Sequence, residues 1–342
     1  MPHNEKPKIV IQIPCHNEEE ALGTTLESLS AALKDFESVE TLIIDDGSTD
    51  GTVDVARAHG VDHIVRLPRR QGLAKAFLAG LDASLAAGAD IIVNTDADNQ
   101  YNAADIPALV APVLEGRADI VIGERPIDEI RHFSAAKKIL QKIGSWAVRL
   151  ASKTTIPDAP SGFRAFSRDA AMRLHVFNDY TYTLETIIQA GQKNMAIVSV
   201  PIRVNEELRP SRLVKSIPSY VRKSLLTIVR IFMTYRPFRF FAVPGIVISA
   251  VGILIGVRFL VFFFSGSGEG HVQSLILAAL LISTGFFMIV VGLVADLIAV
   301  NRKLLEEIDW RTRKVEEKMT TVLQHSQSVG VAPHKDETET HR

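Results

Sequence analysis

Residues 90–100 read DIIVNTDADNQ, an apolar run that ends in Asp96, Asp98, Asn99 and Gln100. A short apolar run closed by turn-forming residues is the signature of a buried strand. This one holds a cluster of side-chain oxygens at its tip. Upstream the pattern repeats: KIVIQIPCHNE (8–18) is a strand running into a loop, and EEEALGTTLESLSAALKDF (18–36) is a helix with apolar residues at helical spacing. VETLIIDDGSTDGT (39–52) is a second strand and turn, followed by a helix through VDVARAHG, a strand DHIVRLP and a helix GLAKAFLAGLDASLAAG (72–88) that leads into residue 90. Strands alternating with helices predict a doubly wound α/β domain with a mainly parallel sheet.

In such sheets ligands bind beyond the carboxyl ends of the strands. Three polar clusters fall there: His16, Asn17 and Glu18; Asp45, Asp46 and Ser48; and Asp96, Asp98 and Gln100. Each alone is also what turns and helix N-caps favour. Their recurrence along one edge of one sheet points to a binding site. Carboxylates brought together repel, so a divalent cation is their natural partner.

The chain has 342 residues, 47% hydrophobic and 23% charged, with a formal net charge of −1. That average hides a division between an alternating α/β part, from Lys8 to about Pro201, and an almost wholly apolar part from Phe238 to Val300. One cysteine, Cys15, excludes an intrachain disulfide and fits a reducing compartment. Residues 1–8, MPHNEKPK, lack the apolar core of a secretory signal. The histidines are scattered without zinc-ligand spacing, no G-x-x-x-x-G-K-[ST] occurs, and nothing calls for nucleic acid.

Two stretches, 238–264 and 272–300, exceed the roughly 20 apolar residues that cross a bilayer. The intervening SGSGEGH has no Lys or Arg, whereas Arg236, Arg239, Arg302 and Lys303 flank the other ends. The positive-inside rule then predicts a transmembrane hairpin with both termini cytoplasmic. Asp296 is expected near the cytoplasmic end of the second span, paired with Arg236 or Arg239 of the same chain or a neighbouring subunit. Between Glu207 and Glu269 there is no acidic residue, while Arg209, Arg212, Lys215, Arg222, Lys223 and Arg230 accumulate before the first span. Val214, Ile217, Val221, Leu225, Ile228 and Phe232 recur at steps of three and four. This pattern predicts a basic amphipathic helix lying in the membrane interface. The expected organisation is a catalytic domain over 1–208, interfacial helices over 209–237, the hairpin over 238–303 and a charged, partly disordered tail over 304–342.

IPCHNEEE, IIDDGSTDGT, GLAKAFLAG, NTDADNQ and SGFRAFSR, in that order, resemble a family 2 glycosyltransferase of the GT-A fold. With the C-terminal hairpin, the likeness is to polyprenyl-phosphate glycosyltransferases, the group that includes dolichyl-phosphate mannose synthase and bacterial undecaprenyl-phosphate sugar transferases. The resemblance implies inverting, metal-dependent transfer of a sugar from a nucleotide diphosphate donor to a polyprenyl phosphate, at the cytoplasmic face of a bacterial or archaeal membrane. Membrane lipids are implied as partners, and a homo-oligomer is allowed.

Residue by residue, it implies that Asp98 and Gln100 contact Mg²⁺ or Mn²⁺, and that Asp96 faces the ribose or sugar. Pro14, His16 and Glu18 would line the nucleotide pocket, Asp46 would accept from the base, and Gly72 would let the backbone approach the donor. Asp45 would instead serve the turn. Arg125, Lys138, Ser161, Arg209 and Arg212 would form the acceptor-phosphate site, although Arg125 could equally pair with Glu124, Asp128 or Glu129. Asp158 would orient or deprotonate the acceptor, and Arg164 would hold a phosphate or lock its loop. Because a phosphate monoester is already largely ionised at neutral pH, an orienting Asp158 is favoured over a base. Here the family's R-x-x-G-x-S-K is replaced by EELRPSR, without the glycine.

Two other readings share parts of this sequence pattern. A membrane-bound polysaccharide synthase of the same fold normally carries Q-x-x-R-W and more spans, but neither Trp146 nor Trp310 follows an arginine. A non-catalytic nucleotide-sugar-binding scaffold has no need of Asp98 and Gln100 together.

Overall fold

Strand β1 (Ile9–Cys15) is buried along its whole length, and its alternating side chains serve two different cores. Ile9, Ile11 and Ile13 join Leu22, Leu26, Ile106 and Leu109 on one face, while Val10 joins Phe77, Ile92 and Phe166 on the other. A strand covered on both faces must be apolar throughout, which is why its sequence shows a run rather than an alternation. The computed structural model describes residues 7–34, 36, 38–127, 135–176, 182–205, 226, 229–230, 232–266 and 272–329.

Six further strands complete the sheet: β2 (Val39–Asp45), β3 (His63–Arg66), β4 (Ile91–Asn94), β5 (Ile120–Glu124), β6 (Arg164–Ser167) and β7 (Ile197–Pro201). Their order is β3-β2-β1-β4-β6-β5-β7, parallel except for β6, which runs antiparallel to both neighbours. The mainly parallel doubly wound sheet expected from the sequence is thus present. Helices α1 (Glu19–Ala32), α2 (Thr52–Ala58), α3 (Leu73–Ala86) and α4 (Ile106–Leu114) connect the first five strands. The order reverses between β1 and β4, so the loops leaving these strands flank the crevice where a doubly wound sheet takes its ligand. Pro14 is tolerated in this central strand because the ladder to β4 ends at Gln12 opposite Asn94.

Beyond β5 come α5 (Ala135–Ser152), α6 (Arg168–Arg173) and α7 (Thr183–Gln192). Ile143, Trp146 and Leu150 form an exposed apolar stripe on α5, a feature not anticipated from the sequence. Two long helices close the chain, α8 (Pro237–Phe264) and α9 (Val272–Val329). Both are long and apolar enough to cross a membrane. They pack through small residues. A Cβ on Gly245 would lie 2.8 Å from the Gly285 carbonyl, one on Gly252 would lie 3.0 Å from that of Ala278, and one on Gly285 would collide with Ser249 Oγ. Glycine and serine let two backbones approach closely where lipid offers no hydrophobic drive to associate.

Helix α9 does not stop with the apolar run at 300 but continues unbroken through the charged segment. Among the described residues Asp296 is exposed and pairs with neither Arg236 nor Arg239, so the expected in-chain ion pair is absent. Residues 206–225, with Arg209 and Arg212, and the tail from 330 lie outside the described residues; Lys138 lies on α5 with its side chain outside them.

The seam supports one prediction. Gly285→Leu should force α8 and α9 apart and destabilise the detergent-solubilised protein by about 1–3 kcal/mol, as overpacking does elsewhere. Gly256→Leu, where an added Cβ meets only Ala278 at 3.8 Å, should cost less. Thermal unfolding of the two variants measures the difference.

Candidate active site

The first two polar clusters are stapled to each other. The Asp46 N–H donates to the Cys15 carbonyl at 2.8 Å, and His16 Nδ1 donates to the Asp46 carbonyl at 2.9 Å. Asn17, in the left-handed region at φ 55°, donates its N–H to Ser48 Oγ and accepts from the Thr49 N–H. The Glu18 N–H donates to Thr52 Oγ1, and Glu19 accepts from the Gly51 N–H. The IPCHNE and DDGSTDGT motifs therefore form one rigid rim. Asp45 serves the turn as expected, accepting from the Ser48 N–H at 2.8 Å. Both carboxylate oxygens of Asp46 accept from the chain itself, from the Gln71 N–H at 2.6 Å and the Gly72 N–H at 2.9 Å. Asp46 thus fastens the loop that enters α3, and Gly72 supplies the φ of 97° which that turn requires.

Beneath the rim runs a buried polar network. Gln12 Nε2 donates to Asn94 Oδ1 at 2.9 Å, and Asn94 Nδ2 donates to the Gly162 carbonyl at 2.9 Å and to Tyr182 Oη at 2.8 Å. Tyr101 Oη accepts from the Gly162 N–H at 2.9 Å. Gly162 is needed here because a Cβ would sit 3.1 Å from both Asp96 carboxylate oxygens. The DAD loop is held from outside by Thr25, which donates to the Ala97 carbonyl, and by Asn205, which donates to the Asn99 carbonyl. Asn99 takes φ 55°, and the Gln100 N–H closes onto Asp98 Oδ1 at 3.1 Å. Burial and the neighbouring Asp98 carboxylate push Asp96 up to about 7, with Glu18 adding to the effect. Cys15, under the rim, is buried, and burial raises its thiol well above the usual range.

The described residues contain no group of three His, Cys, Asp or Glu side chains arranged to hold a metal by themselves. The donors present do fit a hard cation that takes one or two carboxylates from protein and the rest of its shell from phosphate and water. Burial and the nearby Asp98 carboxylate both disfavour an ionised Asp96, and a cation would offset both.

Four expectations for the second half are corrected or, for Arg164, narrowed to one of the two roles expected. Arg125 pairs not with Glu124 but with Asp158, in a forked contact of 2.7 Å from Nε and 2.9 Å from Nη2; Asp128 and Glu129 lie outside the described residues. Asp158 is 1% exposed and its oxygens also receive the Arg125 N–H, so it is not open to an acceptor oxygen. Arg164, fully buried, gives its donors to the Ser161, Thr183 and Ala159 carbonyls and to Thr186 Oγ1. It locks its loop rather than holding a phosphate, and burial pushes it down to about 10. Ser161 is likewise fully buried, which removes it from the acceptor surface. Pro14 is buried within β1, whereas His16, Glu18, Asp96, Asp98 and Gln100 keep partial exposure around the crevice.

Sequence reasoning missed Gln12, Asn94, Tyr101, Gly162 and Tyr182. A signal existed for two of them: Gln12 interrupts KIVIQIPC, and Asn94 ends an apolar run, and a polar residue in a doubly covered strand must have a partner.

Residues 10–174 match the family model described as Glycosyl transferase family 2. A Mycobacterium tuberculosis protein described as an uncharacterised glycosyltransferase is 31% identical over 196 residues, covering 57% of this chain and 84% of that protein. The undecaprenyl-phosphate mannosyltransferase of Micrococcus luteus is 28% identical over 217 residues, covering 60% of this chain and 87% of that one. Among solved structures, glucosyl-3-phosphoglycerate synthase from M. tuberculosis, crystallised with Mn²⁺, uridine diphosphate and phosphoglyceric acid, superposes with a TM-score of 0.51 at 23% identity. It covers 65% of this chain and 78% of that one, a likeness of fold alone. The chain belongs to glycosyltransferase family 2, on a GT-A fold.

Two predictions follow from the electrostatics. The folded pKa of Asp96, about 7, lies above the ordinary carboxylate value of roughly 3.9, so between them the folded state holds the extra proton. Stability is lost as pH rises through that window. Asp96→Asn should therefore stabilise the metal-free protein at pH 8, by about 1 kcal/mol or more, and change little near pH 4. Thermal melts at the two values measure this. Separately, Asp158→Asn should destabilise by about 3–5 kcal/mol, because it leaves the Arg125 guanidinium buried and uncompensated. Denaturant unfolding measures the loss.

Proposed function

We propose that this protein transfers a hexose from a nucleotide diphosphate sugar to a polyprenyl phosphate held in the membrane, with inversion at the anomeric carbon. The observation that carries the reading is the Asp96–Asp98 pair at the switch point of a GT-A sheet whose chain continues into an apolar hairpin. The acceptor class is supported by the name of the M. luteus relative and by a groove at the foot of α8. Phe232, Phe240, Phe241 and Met288 line that groove with Arg236 and Arg239, a combination suited to an apolar chain with an anionic head. The exposed Ile143, Trp146 and Leu150 of α5 give the domain an apolar side, and Leu150 shares the groove. By the positive-inside rule the domain lies on the cytoplasmic face.

In the reaction an oxygen of the lipid phosphate attacks the anomeric carbon as the bond from that carbon to the nucleotide diphosphate breaks. The diphosphate leaves with the electron pair, and no proton need be removed from a phosphate already ionised. The His16–Glu18 rim, fixed by its hydrogen bonds to residues 46–52, orients the nucleotide. Asp96, wedged against Gly162, faces the ribose or sugar. The buried Arg125–Asp158 pair shapes the acceptor side without touching the reacting oxygen. Mg²⁺ or Mn²⁺ bound by Asp98 and Gln100 would neutralise the charge that develops on the leaving diphosphate.

The purified protein, given Mn²⁺, undecaprenyl phosphate and a panel of nucleotide sugars, should yield a lipid one hexose heavier by mass spectrometry. Failure with every donor would overturn the reading, and release of a long polymer would favour a synthase. Asp98→Ala should lower this transfer by about 100-fold or more with a melting temperature no lower than that of the wild type. Activity within about threefold of wild type removes Asp98 from the metal site.

A further inference from the structure

Helix α9 leaves the apolar hairpin without a break and lies against the sheet domain. Between Gly292 and Gly330 the sequence contains no glycine or proline, so the continuation has no built-in hinge. Over residues 302–314 it contacts several separate parts of that domain. Glu306, 7% exposed, pairs at 3.1 Å with Lys193 just past α7. The Trp310 ring lies between the Arg173 guanidinium of α6, 4.2 Å from its centroid, and its own Lys314, at 4.6 Å. Lys314 reaches Asp169 of α6 at 3.1 Å, and Arg313 reaches Asp82 of α3 at 2.9 Å. At the membrane-proximal end the Arg302 guanidinium covers the Tyr235 ring, whose hydroxyl donates to Glu185 at 2.7 Å.

These contacts gather at the end of the sheet remote from the carboxylates. β6 is antiparallel and pairs Ser167 with Ile91, so α6 starts at the amino end of β4, whereas Asp96 and Asp98 follow its carboxyl end. The segment therefore touches no residue of the crevice. An isolated exposed ion pair contributes little, but here a buried glutamate, a stacked tryptophan and ion pairs to α3 and α6 act on one rigid rod. We propose that residues 302–314 of α9 are a strut that sets the height and tilt of the sheet domain over the bilayer, presenting the carboxylate cluster to a membrane-held acceptor phosphate. The proposal rests on the reading of the acceptor as a membrane lipid, and its residues are positioning residues.

The test uses the full chain in vesicles. Glu306→Lys sets a like charge against Lys193, and adding Lys193→Glu restores the pair in reverse. Three quantities are read: transfer to undecaprenyl phosphate in the bilayer, transfer to a short water-soluble prenyl phosphate, and energy transfer from a dye at Glu20→Cys to a dye-labelled lipid. Glu306→Lys should lower kcat for the bilayer acceptor about tenfold and alter the dye signal, while donor KM and transfer to the soluble acceptor stay within about twofold. The double variant should recover most of both losses. Equal loss on both acceptors, or an unaltered dye signal, overturns the strut. A wild-type enzyme that ignores undecaprenyl phosphate overturns the acceptor reading instead, and the dye signal then still decides whether the strut holds the domain.

Discussion

The site depends on one contact across the switch point of the sheet, the buried hydrogen bond from Gln12 on β1 to Asn94 on β4. It joins the strand that carries the His16–Glu18 rim to the strand that carries Asp96 and Asp98. Asn94 then spends its two amide hydrogens on the Gly162 carbonyl and Tyr182, which draws the loop before β6 under the same crevice. A buried amide of this kind adds only about 0.5–1.5 kcal/mol per hydrogen bond, but removing one partner strands the others at about 1–3 kcal/mol each. The network is thus better suited to fixing geometry than to supplying stability, and it fixes the floor on which the carboxylates stand.

Above that floor the balance of charge is deliberately incomplete. Arg125 is hydrogen-bonded to Asp158 and Arg164 to backbone carbonyls, so neither forms an ion pair with Asp96 or Asp98, and the field of Arg125 only partly offsets their charge. Burial first, and the Asp98 carboxylate second, raise Asp96 in the ligand-free protein. A cleft that holds unreconciled negative charge is destabilising by itself and becomes favourable only when a positive ligand arrives.

The sequence disclosed what local patterns can carry. DIIVNTDADNQ and IIDDGSTDGT each pair an apolar run with a turn, so both the strand and its polar tip at the crevice lie within a dozen residues and were legible. The apolar spans at 238–264 and 272–300 were equally plain. The Arg125–Asp158 pair was not, because nothing local links two residues that far apart, and arginine is ordinarily a surface residue. Arg164 misled for the same reason: a guanidinium suggests an anion, yet here it meets carbonyls that the loop would otherwise leave unsatisfied. Asp296 was expected to find an arginine, but it is exposed and pairs with neither Arg236 nor Arg239.

The Arg125–Asp158 clamp has a consequence for how such a chain can diverge. It closes a loop across 33 positions of sequence, and both of its ends are fixed to the central sheet by β5 and β6. Everything between, including α5, is an excursion whose length can change while its anchorage stays the same. The entropy of closing a longer loop grows only with the logarithm of its length, about 0.6 kcal/mol per doubling. Insertions and exchanges of this segment would therefore be absorbed cheaply, making it a natural module for change while the rim and the Asp96–Asp98 loop across the switch point are left as they are.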